Sequence, residues 1–404
     1  MDDKPTHCRT QLLTHRHHLR LGMLTACILA AASLGRADQP RVQRISKEQA
    51  AEYKLTDYYK KGTLVHNVLI ISSDRVSDFA HLEAAYQIDQ VMKNLRPDVA
   101  RRIRERGVLC ILVGCTELVS DLPHYPSKKT GKELDFYNWR NRGNLGTKNG
   151  RPTALFSEED VLEYEGGMQL ESILIHEFGH VIDAAGLDKP LRERVAAAFE
   201  NARAKGLYND AYAAHRFRRV KSDKPVSLLD ALAKSFPDQP RDFLARCMDG
   251  GSILVNSKPA DSKATVAKDD KVLIVFGGPK QCYAGKNRAE YWAEGVQDWY
   301  DTNRTMDHDH SQLHTRDQLK TYDPELSKIL AEVLGDRPWR FVSPRLRAGQ
   351  GHLKGYDPDK APKAVRLDHI EAAALDYYDK YWESYWTRLH EKYDAKSSLA
   401  APSK

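Results

Sequence analysis

The pentad His176-Glu177-Phe178-Gly179-His180 lies inside an apolar run from Ile173 to Ile182, and no other stretch limits the possible folds of the chain as tightly. Residues four apart share one face of a helix, so His176 and His180 offer two imidazole nitrogens to a single cation, with Glu177 beside them as a base. Ile173, Leu174, Phe178, Val181 and Ile182 bury the rest of such a helix, and Gly179 is expected to leave space beside the metal. The helix is expected over Gln169 to Ala185, ending at Gly186. The competing reading is a buried helix with two hydrogen-bonded histidines. Burying two imidazoles and a carboxylate side by side without a cation is costly, which disfavours it.

The length of 404 residues allows two or three domains, or one large domain with an insertion. The net charge of +6 is spread without a dense basic block, so no nucleic-acid partner is implied. Arg9, Arg16 and Arg20 precede the apolar run Leu21 to Leu34 and then Gly35-Arg36-Ala37. This pattern is read as a cleavable signal peptide over residues 1–37, giving a secreted or periplasmic, cell-envelope protein. Met23 is an alternative start, and Leu24-Thr25-Ala26-Cys27 resembles a lipoprotein box, although Cys27 sits in mid-run. No other run approaches the ~20 apolar residues of a membrane span, so none is expected. Cleavage would leave Cys110, Cys115, Cys247 and Cys282, enough for two disulfides of open pairing, with Cys110 alternatively a buried thiol.

A polar lead over residues 38–63 precedes Leu64 to Ser72, which reads as one buried strand. A helix capped by Ser77 or Asp78 and a second strand, Val108 to Gly114, suggest a parallel pair joined by a crossover. Residues 123–152 read as a long surface loop, and Pro152 to Phe156 as either an edge strand able to pair with an extended peptide or an ordinary connecting strand. Ser157-Glu158-Glu159-Asp160 has the form of a capping box, and Pro190 opens a further helix. Asp307-His308-Asp309-His310, with His314, is expected to be a polar loop in preference to a second metal site. A tail and helix fill residues 341–404. The helix, about Asp368 to Tyr393, carries a stripe of Tyr378, Trp382, Tyr385 and Leu389 expected to pack on the main domain, with a sugar-stacking platform as the alternative.

Two histidines do not complete a catalytic site, so a third donor is required, with one position left for water. The metzincin pattern is excluded, because Asp183 and Gly186 stand where its Gly and its last ligand would be. A thermolysin-like arrangement would use Glu200, twenty residues past His180, but its neighbours lack the accompanying signature and a solvated helix face is preferred. The third candidate is Arg288-Ala289-Glu290-Tyr291-Trp292-Ala293-Glu294, with Tyr283 seven residues before Glu290. H-E-x-x-H followed by this Tyr and E-Y-W-A-E resembles the lethal-factor-like zinc metallopeptidases, the group that includes the Pro-Pro endopeptidases. Support extends over residues 64–340, including Arg142-Gly143-Asn144-Leu145-Gly146 and Thr315-Arg316-Asp317-Gln318.

The resemblance implies zinc held by His176, His180 and Glu290, Glu177 as general base, Tyr283 as oxyanion donor, and Glu294 as an acceptor behind a ligating histidine. It implies an α+β, zincin-like domain with a mixed sheet and an active-site helix over residues 64–340, followed by the C-terminal helix. One departure is the 110 residues between His180 and Glu290, a distance usually short in such domains. They require an insertion, over 216–278, with helix in 228–248 and strands in 252–259 and 271–276. It faintly resembles a small S4-like RNA-binding module; a stabilising or substrate-gating appendage is the preferred reading. The expected function is a secreted zinc endopeptidase acting on a protein or peptide substrate. The alternative is an extracellular binding or scaffold protein with structural zinc, which would have no need of Glu177. Cleavage specificity and oligomeric state are left open by the sequence.

Overall fold

A computed structural model describes residues 40–394 apart from Leu170, residues 217–221, 223, 257, 269, 271, 306–308 and 363–366. The expected signal peptide, with Cys8, Met23 and Cys27, lies outside the described residues.

The chain is mixed α and β. Strands β1 (Gln43–Arg44), β2 (Lys61–Val65), β3 (Val68–Ser72), β4 (Leu109–Val113), β5 (Asn144–Lys148) and β6 (Arg151–Ser157) form one sheet in the order β1-β2-β3-β4-β6-β5. β3, β4 and β6 run parallel, and the remaining pairs are antiparallel. The run from Leu64 to Ser72, expected as one strand, instead folds back as the end of β2 and all of β3. His66 and Asn67, at φ 48° and 63°, make the two-residue left-handed turn a tight hairpin requires. The parallel β3–β4 pair is as expected, although its crossover contains two helices, α2 (Asp78–Met92, after α1 at Lys47–Tyr53) and α3 (Pro97–Arg106). Alternate residues face opposite ways: Ile70, Cys110, Leu112, Ala154 and Phe156 enter the main core, while Leu69, Ile71, Leu109, Ile111 and Leu155 pack with Tyr53, Tyr59, Leu122 and Tyr125.

The stretch expected to be a surface loop is ordered: it contains α4 (Gly131–Arg140) and β5. That changes the sheet's boundary, since β6 is interior and β5 is the edge. Arg142 sets this corner. Its guanidinium is buried against Glu159, which follows Ser157 at the cap of α5 (Glu158–Val161), and it donates to the carbonyls of Glu117 and Gly114 at 2.8 and 2.9 Å.

Helices α6 (Ile173–Val181) and α7 (Lys189–Ala204) lead into a second module with its own core. It comprises β7 (Ala211–Arg216), β8 (Val226–Ser227), α8 (Leu228–Ser235), α9 (Arg241–Asp249), β9 (Ile253–Val255), β10 (Lys258–Pro259), β11 (Thr265–Val266) and β12 (Val272–Lys280). β7 and β12 pair antiparallel, so the chain enters and leaves the module side by side. Helices α10 (Arg288–Trp299), α11 (Arg316–Tyr322) and α12 (Pro324–Leu334) return to the main core, and α13 (Asp368–Tyr393) closes the described chain. Of the α13 stripe, Leu389 is the member whose side chain is described, and it enters the core of the second module, not that of the main domain. Trp386 joins it there, the Tyr377 ring packs at a tilt against Phe136 and Trp139 of α4, and the side chains of Tyr378, Trp382 and Tyr385 lie outside the described residues.

Cys110, Cys115, Cys247 and Cys282 are all buried free thiols, so the disulfides their number allowed are not formed among them. Burial pushes Cys115, Cys247 and Cys282 up to about 12, which leaves them protonated and unreactive at neutral pH. Among the described residues no helix is long and apolar enough to cross a membrane.

Replacing Arg142 with Met should strand the Glu159 carboxylate in the core. The expected loss is about 3–5 kcal/mol of unfolding free energy, read from urea denaturation.

Candidate metal centre

The pentad helix is shorter than its pattern suggested. α6 starts after Ser172, whose Oγ accepts from the Ile175 N–H at 3.2 Å, and its last turn widens so that the Leu187 N–H reaches the Ile182 carbonyl at 2.9 Å. Gln169 stands outside the helix, its amide donating to the Tyr164 carbonyl at 3.0 Å.

Gly179 serves a purpose other than the one expected. A Cβ there would meet Ala293 Cα at 3.2 Å and Val296 Cβ at 3.3 Å, so the glycine admits α10, not the metal. The Trp292 indole N–H caps the Gly179 carbonyl at 3.0 Å across the same crossing. Farther along, Arg288 forks onto Asp183 at 2.8 and 2.7 Å, tying the end of α6 to the start of α10.

This crossing brings the distant carboxylate to the histidines. His176 Nε2 and His180 Nε2 are 3.2 Å apart, and Glu290 Oε2 lies 3.3 Å from the first and 3.2 Å from the second. Donors about 2.0–2.1 Å from a tetrahedral zinc are roughly 3.3 Å from one another, so the triangle fits that cation. Glu290 Oε2 is buried and makes no aligned hydrogen bond despite those close nitrogens, as expected of a donor aimed at a common point between the three. His176, His180 and Glu290 could hold a metal ion, and they are the only such group found among the described residues. Asn287 caps α10 by accepting from the N–H groups of Ala289 and Glu290 at 2.9 and 3.0 Å, which places the Glu290 carboxylate at the positive end of the helix.

Glu177 is 6 % exposed, and its Oε2 is buried without a hydrogen-bond partner. Burial pushes its carboxyl up to about 7, against the pull of His176 and His180 and with a further push from Glu290. Gly143, just before β5, passes so close that a Cβ would come within 3.0 Å of Glu177 Oε1. The Tyr283 hydroxyl donates to Glu290 Oε1 at 3.1 Å. Burial, then the Glu290 charge, raise it well above the ordinary tyrosine value, so it remains a donor at neutral pH.

Glu294 Oε1 is 3.2 Å from His176 Nδ1, and Gln297 Oε1 is nearer at 2.7 Å. Gln297 was missed by the sequence reading, although it falls seven residues after Glu290 and so shares a helix face with Glu290 and Glu294. His310 lies in a loop, as expected, but its burial was not foreseen: it stands 3.7 Å from both Glu171 Oε2 and Glu294 Oε2 and belongs to the polar layer behind His176. Asp307 and His308 lie outside the described residues. Glu200 is exposed on α7 and pairs with Arg203 at 3.6 Å, and it is not part of the His176, His180 and Glu290 group.

No protein family, curated protein or solved structure matches the chain.

Burial draws the His176 imidazolium down, but Glu290 and Glu294 outweigh it and raise it well above the ordinary value. A proton held there competes with a cation, and metal uptake should release it. One equivalent of a divalent metal ion per chain is expected by elemental analysis, its affinity weakening as pH is lowered. His180→Ala and Glu290→Ala should each abolish stoichiometric binding.

Proposed function

We propose that the chain is a zinc-dependent endopeptidase of the lethal-factor-like, zincin kind, exported from the cell and acting on a peptide or protein. The observation that carries this reading is the meeting of His176, His180 and Glu290 with Glu177 and the Tyr283 hydroxyl at one partly buried cluster. A purely structural site needs neither of the last two groups.

A zinc ion bound by the three donors would supply a Lewis acid that acidifies a water and polarises a peptide carbonyl. Glu177 takes the proton of that water, a task suited to a carboxyl whose burial brings it to about 7. The same carboxyl then delivers the proton to the departing amine nitrogen. Tyr283, kept protonated by its surroundings, donates to the carbonyl oxygen as that oxygen gains charge. His176 is steadied through Nδ1 by Glu294 and Gln297. Substrate alignment falls to β5, the sheet edge reached from Gly143 beside Glu177. An unpaired strand edge hydrogen-bonds an extended peptide through its backbone, and the peptide's bonds then run past the base.

Glu177→Gln should retain one zinc per chain and lose peptide-library cleavage by about 100- to 10,000-fold. Tyr283→Phe should lower kcat about 100- to 1,000-fold with little change in KM. Undiminished turnover by the first variant would remove Glu177 as the base, and stoichiometric zinc with no cleavage of any peptide by the native chain would reject the peptidase reading.

A further inference from the structure

Gln297 is fully buried in α10, one helical turn beyond Glu294. Its amide nitrogen faces the Ser172 carbonyl at 3.4 Å and Glu171 Oε2 at 3.5 Å. A backbone carbonyl can only accept, which orients the amide: Nε2 points to Ser172, and Oε1 is left facing His176 Nδ1 at 2.7 Å. An amide oxygen can only accept, so His176 must carry its proton on Nδ1. Its Nε2 lone pair is then free toward Glu290 and His180.

We propose that Gln297 is a positioning residue that sets the tautomer and tilt of His176 for metal binding. It does so by clipping the ring to the cap of the ring's own helix. Ser172, whose carbonyl holds the amide, also caps α6 and is tied to Thr302, its N–H shared between the Thr302 carbonyl at 3.3 Å and Oγ1 at 2.8 Å. Its hydroxyl donates to Gln87 Oε1 at 2.8 Å, and the Gln87 amide donates to Glu83 Oε1 at 2.9 Å. Glu83 has no exposed surface and is held by Arg347 and His352 at 2.5 and 2.7 Å. The clip therefore rests on a buried chain of hydrogen bonds reaching from α10 through α6 to α2. Glu294 brings negative charge to the same imidazole nitrogen, but at 3.2 Å it is the more distant acceptor, and its other oxygen is engaged by Asn303 at 3.1 Å.

The inference rests on His176 being a metal ligand, but not on the chain cleaving peptides, so its test needs no substrate. Zinc affinity of the full chain would be measured by competition with a chromogenic chelator. Gln297→Leu keeps the bulk and loses the acceptor, and zinc binding should weaken about 10- to 100-fold. Gln297→Glu keeps an acceptor toward His176 Nδ1 but loses the amide donor to Ser172, and should weaken binding by clearly less than Gln297→Leu does. Native affinity in Gln297→Leu would overturn the proposal, as would equal losses in the two variants. Should Gln297→Leu fail to fold, imidazole nitrogen NMR of the zinc-loaded native protein decides: a protonated Nδ1 on His176 supports the clip, and a protonated Nε2 refutes it. Zinc loss in the leucine variant of a protein that cuts no peptide would leave this inference standing while the peptidase reading fell.

Discussion

Everything at the cluster depends on how closely two helices approach. Gly179 and Ala293 bring the axes of α6 and α10 together at a separation that a single added methyl group would strain, with 3.2 Å left to the facing Cα. That approach, and not any local property of the pentad, places Glu290 Oε2 within 3.3 Å of both imidazoles. Metal donors tolerate errors of about 0.2 Å, so a crossing held only by soft packing would not suffice. The Trp292 indole on the Gly179 carbonyl and the Arg288 fork on Asp183 fix its rotation and its slide at two points along α6.

Behind the ligands lies a layer of polar side chains of a kind interiors usually avoid. Glu171, Glu294, Asp298, Asn303 and His310 are all buried together with Gln297. Burial, then the charge of Glu294, hold the Asp298 carboxyl well above its ordinary value. Arg304 pairs with Glu171 at 2.6 Å and supplies a compensating charge. A buried polar layer of this sort has little freedom, because each member has few alternative partners in a low-dielectric surrounding. Rigidity there is passed directly to the one histidine that touches it.

What could be read from the residues divides along physical lines. His176, Glu177 and His180 were legible as a group because helix geometry is local, whereas Glu290, Tyr283 and Glu294 were picked out by the resemblance of their motif to a known family. Gln297 shares the helix face of Glu290 and Glu294 and was overlooked only because an amide carries no charge to draw notice. His310 had no such signal: its place comes from tertiary packing onto Glu171 and Glu294, which no periodicity encodes. The hairpin at His66-Asn67 was hidden because its two flanking segments are both apolar, and neither turn residue is a glycine. The stretch holding α4 and β5 was read as a loop from its Gly, Asn and Lys content. What orders it is the burial of Arg142 on Glu159 and of Tyr377 against α4, contacts made by residues remote in sequence.

The pairing of β7 with β12 bears on the long gap between the second and third donors. Ala211 lies opposite Lys280, so the polypeptide leaves and rejoins the main body through adjacent doorways, however much chain is strung between them. Contour length along the backbone is thereby uncoupled from distance in space. Chain can be added to or removed from the module's far loops while the surroundings of His176, His180 and Glu290 stay unchanged.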